Sequence, residues 1–156
     1  MGYWLMKSEP DEFSIDDLAA APKRSVAWFG VRNYQARNFM RDQMRLGDRA
    51  FFYHSSCAVP GIAGLCEVSR LAYPDETQFD PKSKYFDAKA APDNPRWLNV
   101  DVKLVQKTRL VSLDELRAQR QLANMRVLAR GNRLSIMPVD PDEWHFICER
   151  LLNIAP

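Results

Sequence analysis

The 156-residue sequence has almost no net charge: 22 Lys and Arg oppose 20 Asp and Glu, leaving +2. That excludes a polybasic, histone-like coat for nucleic acid. Cysteine is scarce, and Cys57, Cys66 and Cys148 are an odd number without CxxC spacing, which points to reduced thiols and a cytoplasmic compartment rather than a disulfide framework. The two histidines, His54 and His145, are far apart and outside any spaced ligand cluster, so no metal is expected. Six glycines form neither GxGxxG nor GxxxxGK, which leaves no phosphate loop and no nucleotide cofactor; no cofactor of any kind is expected. No apolar run approaches the roughly 18 residues of a membrane-spanning helix, and the first residues lack a charged leader with a cleavage site. A soluble chain with no membrane partner is expected.

What is present is a folded globule's composition, 46% hydrophobic and 11% aromatic. At this length one core suffices, so residues 1–156 are read as a single domain. The charge is segregated. Residues 8–22 hold five acids and no base, and residues 23–49 hold seven bases against two acids. Residues 117–133 hold Arg117, Arg120, Arg126, Arg130 and Arg133 with no acid, and arginine outnumbers lysine 15 to 7. A planar guanidinium suits bidentate contacts to phosphate and base edges, although such stretches are equally readable as solvated faces.

Tyr3–Lys7 reads as a buried first strand, and Ser14 as the cap of a short helix ending by Pro22. Val26–Phe29 is a short apolar segment broken by Gly30, after which Asn33 caps a helix over 34–44 with Ala36, Phe39, Met40, Gln43 and Met44 toward the core. Arg49–Ser55 reads as a central strand and 62–73 as a bent strand with a bulge or close approach at Gly64. Residues 74–96 form a surface excursion, and 97–105 another strand. Helices are expected from Ser112, over 121–130, and from Asp140. Strands that do not alternate regularly with long helices argue for α+β, a closed or nearly closed mixed barrel of about five to six strands with peripheral helices.

Two constellations invite chemistry. His54-Ser55-Ser56-Cys57 could suggest a nucleophile, yet adjacent strand residues point to opposite faces, and a strand end bonding backbone or ligand is the simpler reading. The segment Trp28 to Asn38 places stacking surface, amide donors and acceptors, and arginines within eleven residues, the parts an unstacked base needs. Trp28 and Tyr34 as core aromatics with Asn33 as a cap is an equally economical account of it.

Tyr3-Trp4-Leu5-Met6-Lys7-Ser8-Glu9-Pro10, Trp28 followed by Gly30-Val31-Arg32-Asn33-Tyr34-Gln35-Ala36-Arg37-Asn38, Gly47-Asp48, Phe52-Tyr53-His54-Ser55, Pro60-Gly61-Ile62 and Gly131–Val139 occur in the order found in the EVE domain family, which the chain resembles from residue 2 to about 152. The resemblance implies a PUA-like fold, related to the YTH and ASCH domains, and a reader of modified bases in DNA or RNA, modified cytosine above all. It implies a base pocket of Trp28, Gly30, Val31, Arg32, Asn33, Tyr53, Ser55, Ser56, Gly61, Leu134, Ser135 and Met137, with Lys7 and Ser8 at its floor or rim. Arg32, Arg37, Arg41 and Arg133 would take phosphates. Phe29 departs from the family, many of whose members carry an acid there.

The resulting expectation is a non-catalytic reader that accepts a flipped 5-methylcytosine or 5-hydroxymethylcytosine, with Trp28 stacking and Asn33, Ser55 and Ser56 bonding the polar edge. The competing expectations are an ASCH-like amidohydrolase or nuclease using Lys7 and Glu9, and an adaptor holding an acidic partner on its arginine faces. The oligomeric state is left open, a monomer being the simpler case.

Overall fold

The computed structural model describes residues 2–156. Six strands form one mixed sheet: β1 (Tyr3–Ser8), β2 (Ser25–Ala27), β3 (Arg49–His54), β4 (Gly61–Pro74), β5 (Leu98–Ser112) and β6 (Ile136–Pro138), in the order β2-β5-β4-β3-β1-β6. Only β1 and β3 run parallel; the other neighbours are antiparallel. A parallel pair demands a crossover, and residues 9–48 supply it with α1 (Ile15–Ala20), β2 and α2 (Tyr34–Asn38).

The two ends of the chain cover the two faces of the sheet. Strand alternation sends Trp4, Met6, Ala50 and Phe52 to one face, where Ile15, Leu18, Ala36, Phe39 and Met40 of the crossover pack on them. It sends Leu5, Phe51 and Tyr53 to the other, covered by the chain beyond β5: α3 (Leu113–Arg117), two 3-10 turns and α4 (Pro141–Phe146). Trp144 of α4 is fully buried there, stacked between Tyr3 at 4.6 Å and Phe51 at 4.0 Å. The α+β class and the strand number are as expected, but the sheet is not closed: β2 and β6 are its edges. A sheet covered by apolar layers on both faces keeps its central strands dry without curling onto itself.

Local signals explain most elements. Ser14 Oγ accepts from Asp17 N while the Asp17 carboxylate accepts from Ser14 N, a complete capping box. Asp140 and Glu143 repeat it at α4, with Pro141 in the first turn. Asn33 Oδ1 accepts from Ala36 N and starts α2. The pairing of β4 with β5 shifts between Ile62 and Gly64, and a Cβ at Gly64 would lie 2.6 Å from Ile15 Cδ1, so the glycine serves both bulge and close approach. Two expectations need correction. The helix over 34–44 changes to a π-turn at Phe39–Gln43, which rotates its face and leaves Gln43 exposed while Met44 stays buried. The helix over 121–130 is replaced by single 3-10 turns at Arg120–Leu122 and Arg126–Leu128, because the buried positions Leu122, Met125 and Val127 are spaced three and two apart, which no continuous α-helix places on one face.

Candidate functional site

The parallel pair determines where a site can form. β1 and β3 end side by side, Ser55 N donating to Ser8 O at 3.0 Å, and β6 adds its approach segment as Lys7 N donates to Ser135 O at 2.8 Å. Beyond these strand ends opens a cavity of about 370 Å³, within the roughly 300–1,000 Å³ of small-ligand sites. Lys7, Ser8 and Glu9 of the first strand end, Trp28 to Val31 of the loop after β2, Ser55 and Ser56 after β3, and Arg133 and Ser135 before β6 line it.

Trp28 forms a wall rather than a free platform. Its backbone N–H donates to Val100 O at 2.8 Å, its ring meets Phe52 edge-on at 5.3 Å, and it is 7% exposed. The next residues are held from outside the loop. Asp75, fully buried, accepts from Gly30 N at 2.8 Å and from Arg32 Nη1 at 3.1 Å, and Thr77 N and Oγ1 donate to its other oxygen. Arg32 also donates from Nε and Nη2 to Tyr85 O at 3.0 and 2.8 Å. The surface excursion thus reaches back to the pocket. Tyr85 lies flat on Gly30, where φ is +83° and a Cβ would come within 2.7 Å of the ring. The Tyr85 hydroxyl donates to Glu12 at 2.7 Å, and Lys84 pairs with the same carboxylate at 2.7 Å, joining the excursion to the loop after β1.

The electrostatics arise from these contacts. Burial holds the Lys7 ammonium below the usual lysine range. Hydrogen bonds from Lys84 and Tyr85 lower the Glu12 carboxyl. Burial, then the bond to Glu12, raises Tyr85. Just behind the wall His54 Nε2 accepts from Ile15 N at 3.1 Å, and burial lowers its pKa. Ser56 sits at φ +52°, an uncommon conformation for a residue with a side chain.

Of the residues assigned from the sequence to a pocket or to phosphate contacts, Lys7, Ser8, Trp28, Gly30, Val31, Ser55, Ser56, Arg133 and Ser135 converge on this cavity. Arg32 and Asn33 stand behind the loop instead, Arg32 bonded to Asp75 and Tyr85 and Asn33 to the start of α2. Tyr53 and Met137 are buried in the core on the other face, since alternation turns them away from the cavity, and Leu134 packs partly buried against both cores. Gly61 is pressed against β5, with a Cβ position 2.3 Å from Val111 O. Arg37 donates to Arg96 O and Asn38 and lies over Tyr34, and Arg41 pairs with Asp42 on the exposed face. Glu12, Phe13, Val26, Ala27, Phe29 and Tyr85 join the lining. Tyr85 is the least foreseeable of them; the one local signal is the adjacent aromatic pair Tyr85-Phe86 in an excursion whose other aromatic is Phe79. Among the described residues no cluster of His, Cys, Asp and Glu could hold a metal ion, the three cysteines are free, and no helix is long and apolar enough to cross a membrane.

The EVE domain model matches residues 2–150. Human thymocyte nuclear protein 1 is 47% identical over 163 residues, which cover 93% of this chain and 72% of that protein. A protein from Pseudomonas putida of known structure matches with a TM-score of 0.88 at 53% identity, over 93% of this chain and 96% of that one. The human THYN1 protein in complex with 5-methylcytosine containing DNA matches with a TM-score of 0.92 at 44% identity, over 100% of both chains. A Zymomonas mobilis ASCH protein, 12% identical with a TM-score of 0.56 over 96% of this chain and 99% of that one, shares the fold alone.

Proposed function

The chain belongs to the EVE domain family, and from that membership we propose that it is a non-catalytic reader of modified bases, which accepts a flipped 5-methylcytosine or 5-hydroxymethylcytosine in the cavity at the ends of β1 and β3. The observation that carries the reading is full-length similarity to a protein solved with 5-methylcytosine containing DNA, in a chain that has a cavity of suitable size at its strand ends. Trp28 and Phe13 form the apolar wall against the base. The hydroxyls of Ser55, Ser56 and Ser135 and the backbone of Gly30 and Val31 meet its polar edge, and Arg133 takes a phosphate at the mouth. Arg32 and Asn33 act indirectly, by holding the loop. Flipping a base from a duplex costs a few kcal/mol, and burying one methyl group returns only about 0.8 kcal/mol. Selection of 5-methylcytosine over cytosine by that burial alone is therefore modest, and a larger selectivity requires a hydrogen bond made to the modification, as the hydroxyl of 5-hydroxymethylcytosine permits, or denied by it. RNA carrying such a base presents the same edge, and the reading includes it. A single copy provides every residue named.

The test is titration of labelled single- and double-stranded oligonucleotides carrying cytosine, 5-methylcytosine or 5-hydroxymethylcytosine, DNA and RNA, against the protein and its Trp28→Ala variant. Tighter binding of a modified strand, lost in the variant, is expected. Equal affinity for all three bases, unmoved by the substitution, would overturn the reading.

A second reading is favoured by one observation: Lys7, kept below the usual lysine range by burial, lines the cavity together with Glu9 and Glu12. That arrangement could serve an amidohydrolase or nuclease acting on a modified nucleoside. Mass analysis after incubation with acetylated cytidine decides it; full recovery of the substrate across pH and added metals removes it.

A further inference from the structure

Behind the loop that carries Arg133 lies a second cavity, of about 500 Å³, between α3 and the segment 127–132. Its lining holds three cations, Lys7, Arg117 and Arg130, and no carboxylate. Four arginines of this nearly neutral chain are ion-paired among the described residues: Arg32 with Asp75, Arg41 with Asp42, Arg96 with Asp87 and Arg109 with Glu115. No ion pair among the described residues uses Lys7, Arg117 or Arg130. Three like charges around one concavity repel one another, and an anion relieves that repulsion.

The two cavities are neighbours. Lys7 lines both, and the chain passes from Gly131 and Asn132 in the wall of the second to Arg133 and Ser135 in the wall of the first. That partition is ordered, since Asn132 Nδ2 donates to Arg126 O at 2.6 Å and its Oδ1 accepts from Leu134 N at 2.9 Å. Gly131 faces open space, with nothing within 4 Å of a Cβ position, so an incoming group can approach the backbone there. Burial also keeps the half-buried Lys7 ammonium short of water, so an arriving anion replaces solvation it lacks.

We propose that this second cavity is a phosphate site, which holds a phosphodiester of the same strand whose base enters the first cavity. The source of the phosphate rests on the base-reading function; the phosphate chemistry does not. Arg117 and Arg130 supply guanidinium contacts from the outside and Lys7 a point charge from the inside, with the shared Lys7 coupling base and backbone recognition.

The experiment has three arms, each run on the full chain and on the variant Arg117→Ala/Arg130→Ala, whose altered side chains are exposed. In the first arm, a single-stranded hexanucleotide with one 5-methylcytosine is titrated at several salt concentrations; the variant is expected to bind about tenfold more weakly, with a salt slope reduced by about 1. Replacement of both arginines by lysine restores most of the affinity. In the second arm, the uncharged nucleoside 5-methyldeoxycytidine binds both proteins equally. In the third arm, inorganic phosphate shifts the amide resonances of Gly131 and Asn132 in the unsubstituted chain and not in the variant. Unchanged hexanucleotide affinity and salt slope overturn a strand phosphate at this site, and phosphate shifts that are absent, or that persist in the variant, overturn the site itself. Nucleoside binding without a phosphate response leaves the base-reading function standing and removes this site. The reverse result keeps the site, with free phosphate as its source.

Discussion

Asp75 and Arg32 form an ion pair at 3.1 Å in which the carboxylate is fully buried and the guanidinium is only partly so. The same carboxylate oxygen accepts from Gly30 N at 2.8 Å, so one residue of the surface excursion determines the path of the loop that bounds the cavity. Arg32 looked from the sequence like a ligand for phosphate; its donors are used within the protein.

Asp75→Asn keeps the shape of the side chain but removes its charge, leaving Arg32 without a counterion and either Gly30 N or the Thr77 donors without an acceptor. Breaking a buried ion pair costs roughly 3–5 kcal/mol, and the partial exposure of Arg32 places this change at the low end. Urea unfolding should show that loss, and 5-methyldeoxycytidine binding should weaken with it. A variant with both unchanged would show that the loop is held by other contacts.

Gly30→Ala combines two penalties, a left-handed φ of +83° and a Cβ 2.7 Å from the Tyr85 ring. Gly131→Ala, at φ +78° with open space around it, carries only the first, about 1–2 kcal/mol. The expected order is a clearly larger destabilisation at Gly30. Adding Tyr85→Ala should recover the steric part at position 30 and nothing at position 131, which a double-mutant cycle measures.

His54 supports α1 by accepting a hydrogen bond from Ile15 N through Nε2, an atom that must be unprotonated to do so. Burial lowers its pKa; of the charges near it, Asp16 opposes that shift and Lys107 adds to it. With the folded value below the unfolded one near 6.5, the unfolded chain binds the proton first as pH falls. Stability from this residue is complete above pH 6.5 and declines as pH drops toward the folded value. Unfolding free energy measured between pH 4.5 and 7.5 should therefore fall more steeply for the unsubstituted chain than for His54→Asn; parallel curves would refute the assignment.

Trp144→Phe removes part of the stack between Tyr3 and Phe51 on the face of the sheet opposite the cavity. The expected cost is on the order of 1–3 kcal/mol of stability. Nucleoside affinity should stay within twofold at a temperature where the variant is folded. A large affinity loss there would mean that the two faces of the sheet are coupled through β1 and β3.

Much of the fold was legible in short-range chemistry. Ser14, Asn33, Ser112 and Asp140 each cap a helix, and the apolar runs at Tyr3–Lys7 and Arg49–Ser55 became central strands. The π-turn at Phe39–Gln43 was not legible, because one inserted residue in a helix leaves only a slight change of apolar phase. The 3-10 turns within 120–128 were not legible either: Leu122, Met125 and Leu128 recur at a helix-like spacing, and only the packing shows that Val127 rather than Leu128 is the buried position. Part of the site was visible as strand ends and the loop after Trp28. Tyr85 was not, since its place over Gly30 depends on an excursion of 23 residues folding back, and nothing near position 85 encodes that partner.

The nearly neutral charge is a sum over the chain, and the capped helices, the alternating strands and the order of the family's motifs are readable from neighbouring residues alone. Strand order, the open sheet and the division of its two faces between the chain's two ends came only with the tertiary structure. So did the separation of arginines into those used internally, such as Arg32 and Arg37, and those left beside cavities, such as Arg117, Arg130 and Arg133. The physical reason is that a cap or an alternation is satisfied within a few residues. An ion pair between positions 32 and 75, or its absence at 117, depends on which distant groups the fold brings within about 4 Å.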